Sequence, residues 1–295
     1  RVKIGKCYSN FTTFNGGLPQ GTWSGPFAFL ILINDLHLSV LVHKFVDDVT
    51  LTEIIAGSNQ SVMQDACHEL QCWSQRNSMN INIKKTQGMV FCPKGPHNDT
   101  GTVQINGVAI TCVTSYKLLG VIIQSNLKWN EHVQYICSRA SKCLFLLKQL
   151  RRANLPLPVP DLVYFYCTVI RPILEYACAV WHTSLSKNQS DCIEQIQKRA
   201  LNIIYGYDGS YSDKLLMSDL IVLSIRRDDL CRKLFVNIMN DKQHCLHKLL
   251  PPQRRDLSES SVVTRLQQRN ILILPKFKTN RFRHSFIMYC LDHFM

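Results

Sequence analysis

The chain of 295 residues is 46% apolar, which excludes a disordered segment and suffices for one large or two modest cores. Its 34 Lys and Arg against 21 Asp and Glu give a formal charge of +13, a balance that favours polyanionic partners and says nothing about fold. The 13 Cys show no CxxC pair and no secretory pattern precedes them, so they predict buried thiols in an intracellular (cytoplasmic or nuclear), reducing compartment. Residues 1–14 alternate loosely and predict strands. Asn15 to Gly21 forms a glycine-rich loop leading to Ser24-Gly25-Pro26, which supplies cap candidates for a helix over 27–38. Two apolar runs, Leu41–Val46 and Val49–Ile55, flank Asp47-Asp48, and this predicts a tight hairpin with the two aspartates as its turn. Ser61 and Gln64 read as a capping box before a helix whose buried stripe is Val62, Ala66, Leu70 and Trp73.

Farther along, Met89–Cys92 predicts a strand, and Asn106-Gly107 within 103–110 gives the strongest hairpin signal of the chain. Another strand region spans Tyr116–Ile123. After Trp129 helices dominate, over roughly 129–152, 161–182 (bent at Pro172), 187–206 and 224–240, with the three prolines of 153–160 as a linker. Cys67-His68 and Cys72 fall within a helical pattern and lack a second ligand pair, so zinc is not expected there. The apolar stretch Val159–Trp181 is interrupted by Asp161, Arg171, Pro172 and Glu175, and no membrane crossing is expected.

Asp47-Asp48 is the chemical centre of the sequence. A hairpin tip fixes two carboxylates rigidly, and hard oxygens of this kind suit Mg²⁺, which keeps its other positions for phosphate and water. Nucleotidyl transfer needs carboxylates that hold two such metals about 4 Å apart. Taken alone, however, two aspartates at a turn usually make only a turn.

The surroundings change that reading. Phe45-Val46-Asp47-Asp48 resembles the aromatic-x-Asp-Asp signature of reverse transcriptases. Upstream, Gly17-Leu18-Pro19-Gln20-Gly21, Gly25-Pro26 and Ile33-Asn34-Asp35-Leu36 resemble the preceding block in jockey-like and other non-LTR retrotransposon enzymes. Downstream, Trp73, Asn77, Met79, Asn82 and Lys85-Thr86 match the next block, and Leu118-Leu119-Gly120-Val121 the primer-grip strand. Trp129 with His132, Arg171-Pro172…Glu175-Tyr176 and Gln197-Lys198-Arg199-Ala200 follow in the order of the family's thumb and connection helices.

The resemblance implies an α+β fold with a partial polymerase palm over 1–112, primer-grip-like strands over 113–128, a helical thumb over 129–206 and a basic C-terminal extension over 207–295. It implies RNA-directed DNA polymerisation with Mg²⁺, deoxynucleoside triphosphates, an RNA template and a DNA primer. Asp47 and Asp48 would be metal ligands. Gln20, Gly21 and Phe45 would line the nucleotide and template pocket, although Gly21 could simply open a helix. Lys85 would be the proton donor to the leaving pyrophosphate or else a solvated lysine. Arg151, Arg152, Lys198 and Arg199, with Arg226-Arg227, read equally as phosphate contacts or as solvated helix faces. Val46 stands where these elements usually carry Ala. The family's other essential aspartate lies upstream of the glycine-rich loop, so the chain is expected to be a C-terminal portion and inactive alone. The alternative is a retroelement remnant that binds nucleic acid without catalysis.

Overall fold

The computed structural model describes residues 1–11, 13, 23–56, 60–92, 102–152, 157–252, 272, 275–277 and 279–295. The fold is mixed helix and strand, with small two-stranded sheets that are antiparallel except for one pair. The chain divides into two compact units, Arg1–Val113 and Thr114–Met295.

In the first unit, β1 (Lys3–Ile4) and β2 (Cys7–Tyr8) form a short ribbon, and α1 spans Ser24–Asn34. Ser24-Gly25-Pro26 lies inside the first turn of α1, not ahead of it, and the helix ends before Asp35. β3 (Leu41–Phe45) and β4 (Asp48–Thr52) pair antiparallel. α2 (Met63–Arg76) follows, but its start is not a Ser61–Gln64 box. Glu53 caps it instead, accepting from the Val62 amide at 2.8 Å and the Ser61 hydroxyl at 2.7 Å. Gln64 reaches the backbone of Gln104 in both directions, at 2.8 and 3.0 Å. That backbone belongs to β6 (Gln104–Ile105), which meets β7 (Val108–Ala109) around Asn106 and Gly107, both at positive φ, as a type I′ turn requires. β5 (Gln87–Gly88), rather than the expected 89–92, pairs with β8 (Thr111–Cys112), and that pairing is the parallel one.

Ile33, Leu36 and Trp73 make the buried centre of this unit, with Val42, Val49 and Leu70 against it. Much of α1 is left bare, with Phe27 67%, Leu30 55% and Ile31 62% exposed.

The second unit opens with β9 (Ser115–Leu118) and β10 (Val121–Gln124), closed by Leu119 at φ 46° and Gly120 at φ 88°. Gly120 is required twice over, because a Cβ there would sit 3.1 Å from the Tyr176 ring. α3 (Asn130–Arg152) turns Val133, Ile136, Ala140, Leu144 and Leu147 inward, at helical spacing. The next helical run comprises α4 (Val159–Phe165), a π turn (Tyr166–Ile170), α5 (Arg171–Glu175), α6 (Cys178–Trp181) and a 3₁₀ turn (His182–Ser184). Its breaks have causes. Pro172 has no amide to donate and follows the π turn, and Ala177 sits at φ 51°.

By length and composition this run is apolar enough to cross a membrane. Leu162, Tyr166, Ile170, Leu174, Cys178 and Trp181 on one face of it are buried in the same core as α3. α7 (Lys187–Tyr205) begins at a true capping box, Ser186 with Gln189. α8 (Tyr211–Met217) and α9 (Leu223–Asn240) then add Leu215 and Leu223 to that core, so residues beyond 206 pack within it. A 3₁₀ turn (His247–Leu249), α10 (Asn280–Arg283) and α11 (Phe286–Phe294) follow, and α11 builds a second cluster on α9 around Cys231, Phe235 and Cys290.

Most buried polar groups in this unit are paired, with Trp129 Nε1, His132 Nε2 and Arg227 Nη1 as exceptions among the described residues. Tyr166 donates to Gln197 at 2.6 Å, Gln197 donates to Tyr211 and to the Ile221 carbonyl, each at 2.9 Å, and Glu194 accepts from the Leu223 amide at 2.9 Å. Arg227 is fully buried and donates to His182 Nδ1 at 3.1 Å and Ser190 at 3.2 Å, while Arg226 pairs with Glu175 at 2.6 Å. Neither arginine is therefore free for a phosphate, which corrects that sequence expectation.

His132 fixes the start of α3 to β10, its Nδ1 accepting from the Ile122 amide at 3.3 Å, with its ring between Trp129 and Trp181. Burial lowers its pKa to about 4. The unfolded chain, near 6.5, therefore binds the proton more tightly than the fold does. Stability from this residue is complete above about pH 6.5 and is lost as pH falls toward 4, by up to roughly 3 kcal/mol. Urea unfolding at pH 7 and pH 4.5 should show a larger acid loss in the wild type than in His132→Gln. Equal losses would contradict this.

The two units also differ in the depth of their cores. Limited proteolysis should remove residues 1–113 first, and fragments retaining Trp129–Asn240 should outlast them. Survival of the N-terminal unit alone would contradict that ranking.

Candidate functional site

The hairpin of β3 and β4 carries the aspartates, and its register departs from the expected one. Phe45 pairs with Asp48, so the turn is Val46-Asp47 and Asp48 is the first residue of β4. The two closures differ by one position, and both keep Val42, Lys44, Val49 and Leu51 on one face, so the apolar pattern cannot choose between them. Val46 takes φ 52°, a left-handed conformation that a β-branched residue adopts only under strain, at a cost of order 1–3 kcal/mol.

Two anchors hold the hairpin. The Lys44 ammonium donates to the carbonyls of Ile33 at 2.9 Å and Asn34 at 3.2 Å, the C-terminal end of α1. Those carbonyls have no partner within the helix, and the negative end of its dipole favours a cation there. One residue on, Asp35 accepts from the Trp73 indole at 2.9 Å, tying the same corner to α2. Asn77 closes α2 by donating to the Trp73 carbonyl at 3.0 Å. Residues of three motif blocks, Asp35, the Lys44-bearing hairpin strand and Trp73 with Asn77, are thus brought into one bonded assembly. Lys44 escaped the sequence reading, since nothing in its spacing marks a lysine in a strand as a helix cap.

The carboxylates of Asp47 and Asp48 are exposed and make no hydrogen bond or ion pair with any other described residue. Free, hard oxygen donors on adjacent residues fit Mg²⁺ rather than a softer metal. No group of three or more His, Cys, Asp or Glu positioned for a metal occurs among the described residues. Cys67 is a buried thiol, its pKa raised by burial, while Cys72 lies 3.7 Å from His68.

The remaining sequence candidates scatter. Phe45 is exposed beside the aspartates. Lys85 sits in an exposed turn where its amide meets the Asn82 carbonyl at 3.0 Å, and its ammonium has no described partner at the hairpin. Gln20 and Gly21 lie outside the described residues. In the second unit, Arg151 and Arg152 are exposed at the C-terminal end of α3, Arg199 is exposed on α7, and Lys198 lies 5.0 Å above the Tyr211 ring. The β9–β10 hairpin is held there by Tyr176, whose hydroxyl donates to the Leu119 carbonyl at 2.9 Å.

Comparison with known proteins points to the same kind of enzyme as the resemblance. A probable RNA-directed DNA polymerase from transposon BS of Drosophila melanogaster is 24% identical over 217 residues, covering 69% of this chain and 24% of that protein. One from transposon X-element of the same organism is 22% identical over 272 residues, covering 85% of this chain and 30% of that protein. The RNA-directed DNA polymerase from mobile element jockey of Drosophila funebris is 24% identical over 214 residues, 68% of this chain and 23% of that protein. The chain is a relative of the RNA-directed DNA polymerases of non-LTR retrotransposons. It spans less than a third of the length of these polymerase relatives. No family model and no solved structure matches it.

The strain at Val46 gives a direct check. Asn tolerates the left-handed region, so Val46→Asn should slow amide exchange across β3 and β4 several-fold, a gain of about 1 kcal/mol. Faster exchange in the variant would show that Val46 is not strained.

Proposed function

We propose that the first unit carries part of the catalytic centre of an RNA-directed DNA polymerase, and that Asp47 and Asp48 are its divalent-cation ligands. The observation that carries this is the pair of carboxylates, without a partner among the described residues, at the tip of a hairpin braced through Lys44 onto α1. A surface turn of no consequence would not need a strained Val46 and a dedicated lysine anchor beneath it. The similarity to RNA-directed DNA polymerases of transposons supports the same reading.

In this reading the chain's own residues position and neutralise. Asp47, in the turn, and Asp48, opening β4, offer oxygens to the cation that accompanies a deoxynucleoside triphosphate. A cation held there supplies charge stabilisation to the phosphoryl group in transfer and acidity to the attacking primer hydroxyl. Phe45 presents an exposed aromatic face next to them for a nucleotide. Lys85, free of described partners at the hairpin, is the proposed proton donor to pyrophosphate.

Two carboxylates are too few for a two-metal centre, and no further metal-ligating cluster occurs among the described residues. The 295-residue chain should therefore retain a deoxynucleoside triphosphate in a Mg²⁺-dependent manner, weakened at least tenfold by Asp47→Ala. It should not extend a primer on an RNA template. Incorporation above the Asp47→Ala control would refute the incomplete-centre reading, and retention indifferent to both Mg²⁺ and Asp47 would refute the site.

A further inference from the structure

Where α9 packs on α6, two free thiols are sealed beside a cation that lacks a counter-ion. Arg227 is fully buried, forms no ion pair with a described carboxylate, and keeps Nη1 without a hydrogen-bond partner. The carboxylates that favour its charge are engaged elsewhere, Glu194 by Tyr211 and the Leu223 amide, Glu175 by Arg226. The guanidinium lies 5.7 Å from the centre of the Trp181 ring. Arg227 and Cys231 share one stripe of α9, at i and i+4, and Cys178 and Trp181 share one side of α6, at i and i+3. With Arg227 over Trp181, Cys231 is brought against Cys178, and its S–H meets the Cys178 sulfur.

The two thiols are unequal. The bond from the Cys231 S–H, and after it the Arg227 guanidinium, draws Cys178 below the usual thiol range against the opposing effect of burial. Cys231 moves the other way, held protonated by its bond to Cys178 and by burial. Cys178 is 5% exposed and Cys231 0%, so the sulfur that takes the negative charge is also the one nearer to solvent. A thiol buried in apolar surroundings is inert, whereas a sulfur ionised beside a cation, with a second thiol in reach, is the oxidisable kind. Cys290 of α11 adjoins the pair, but burial pushes its thiol up to about 12. No group of metal-ligating side chains is positioned around these sulfurs among the described residues, so the arrangement points to redox chemistry of the thiols themselves.

We propose that Cys178 and Cys231 form a hydroperoxide-responsive dithiol, in which Cys178 is the sulfur oxidised first and Cys231 the one that resolves it to a disulfide joining α6 to α9. The Cys178 thiolate attacks one peroxide oxygen. A sulfur–oxygen bond forms, the oxygen–oxygen bond breaks, and the leaving oxygen keeps the electron pair and takes a proton from solvent, giving water or an alcohol. The Cys231 sulfur then attacks the sulfenic sulfur of Cys178. The sulfur–sulfur bond forms, the sulfur–oxygen bond breaks, and hydroxide leaves with the Cys231 proton as water. The two sulfurs together lose two electrons and the peroxide gains them, and an external thiol reverses the change by exchange. Arg227 is a positioning residue here, its unpartnered Nη1 holding Cys178 ionised. The site belongs to the second unit and is independent of the polymerase reading.

The test is titration of the reduced full chain with hydrogen peroxide, followed by non-reducing peptide mapping in a mass spectrometer. A linked peptide pair carrying Cys178 and Cys231 should form first, and dithiothreitol should separate it. Cys231→Ala should stop the reaction at a sulfenic acid on Cys178, captured by dimedone, and Cys178→Ala should leave Cys231 reduced. Before oxidation, the ultraviolet absorbance of a thiolate at neutral pH should be present in the wild type and lost in Cys178→Ala. The three proteins should share one circular-dichroism spectrum. Cys178 and Cys231 still reduced once the exposed Cys7, Cys112, Cys192 and Cys245 are oxidised would overturn the proposal. So would a Cys178–Cys231 link that forms only in urea, or a thiolate absorbance unchanged by Cys178→Ala.

Discussion

A single helix-end interaction organises the first unit of this molecule: the ammonium of Lys44 seated on the last carbonyls of α1. A helix terminus leaves backbone acceptors that something must satisfy, and here the partner is a side chain of the very strand that leads into the aspartate turn. The helix thereby fixes the height and tilt of the hairpin. Asp35, immediately after α1, locks the corner to α2 through the Trp73 indole. With α1 anchored to β3 and α2 by polar bonds, the small apolar centre of Ile33, Leu36 and Trp73 is enough to hold three elements together. Rigidity at the base lets the tip keep a strained Val46 and present two exposed carboxylates that have no partner among the described residues.

The helical unit is organised in the opposite way, from a large core outward. The apolar seam of α3, the broken run Val159–Ser184 and α7 is shared by α8 and α9. Tyr166 with Gln197, Glu194 with the Leu223 amide and Arg227 with His182 are bonded inside this core, and they fix which helices may neighbour which. Its surface consequence is the β9–β10 hairpin, pinned at its turn by Tyr176 and at its strand by His132. Lys117 is carried on that hairpin to the Tyr135 and Arg139 face of α3.

Much of this was legible in the sequence, for physical reasons that also mark where it failed. The period of α3, α7 and α9 announced them within a residue or two, because one face of each is continuously buried. Asn106-Gly107 announced its hairpin because few other dipeptides accept two positive φ angles. The aspartate hairpin was visible, yet its turn was misplaced by one residue, since both registers bury the same face and Val46 is an improbable left-handed residue. Gln64 was misassigned because a local cap and a long-range bond to Gln104 look the same in one dimension. Arg226-Arg227 illustrates the same blindness. A basic pair reads as surface charge until Glu175, His182 and Ser190 arrive from elsewhere in the chain. Lys44 and Lys117 carry no sequence mark at all, because their bonds form only once distant backbone or a distant phenol is beside them.

The account turns on Asp47 and Asp48 acting as a divalent-cation platform, and paramagnetic broadening by Mn²⁺ reads that directly. In a ¹⁵N-labelled sample, Mn²⁺ at substoichiometric amounts should broaden the amides of Val46 to Val49 first, with Mg²⁺ competing and Asp47→Asn/Asp48→Asn abolishing the effect. Broadening that begins elsewhere, or that persists in the double variant, would contradict the claim that this hairpin holds the metal.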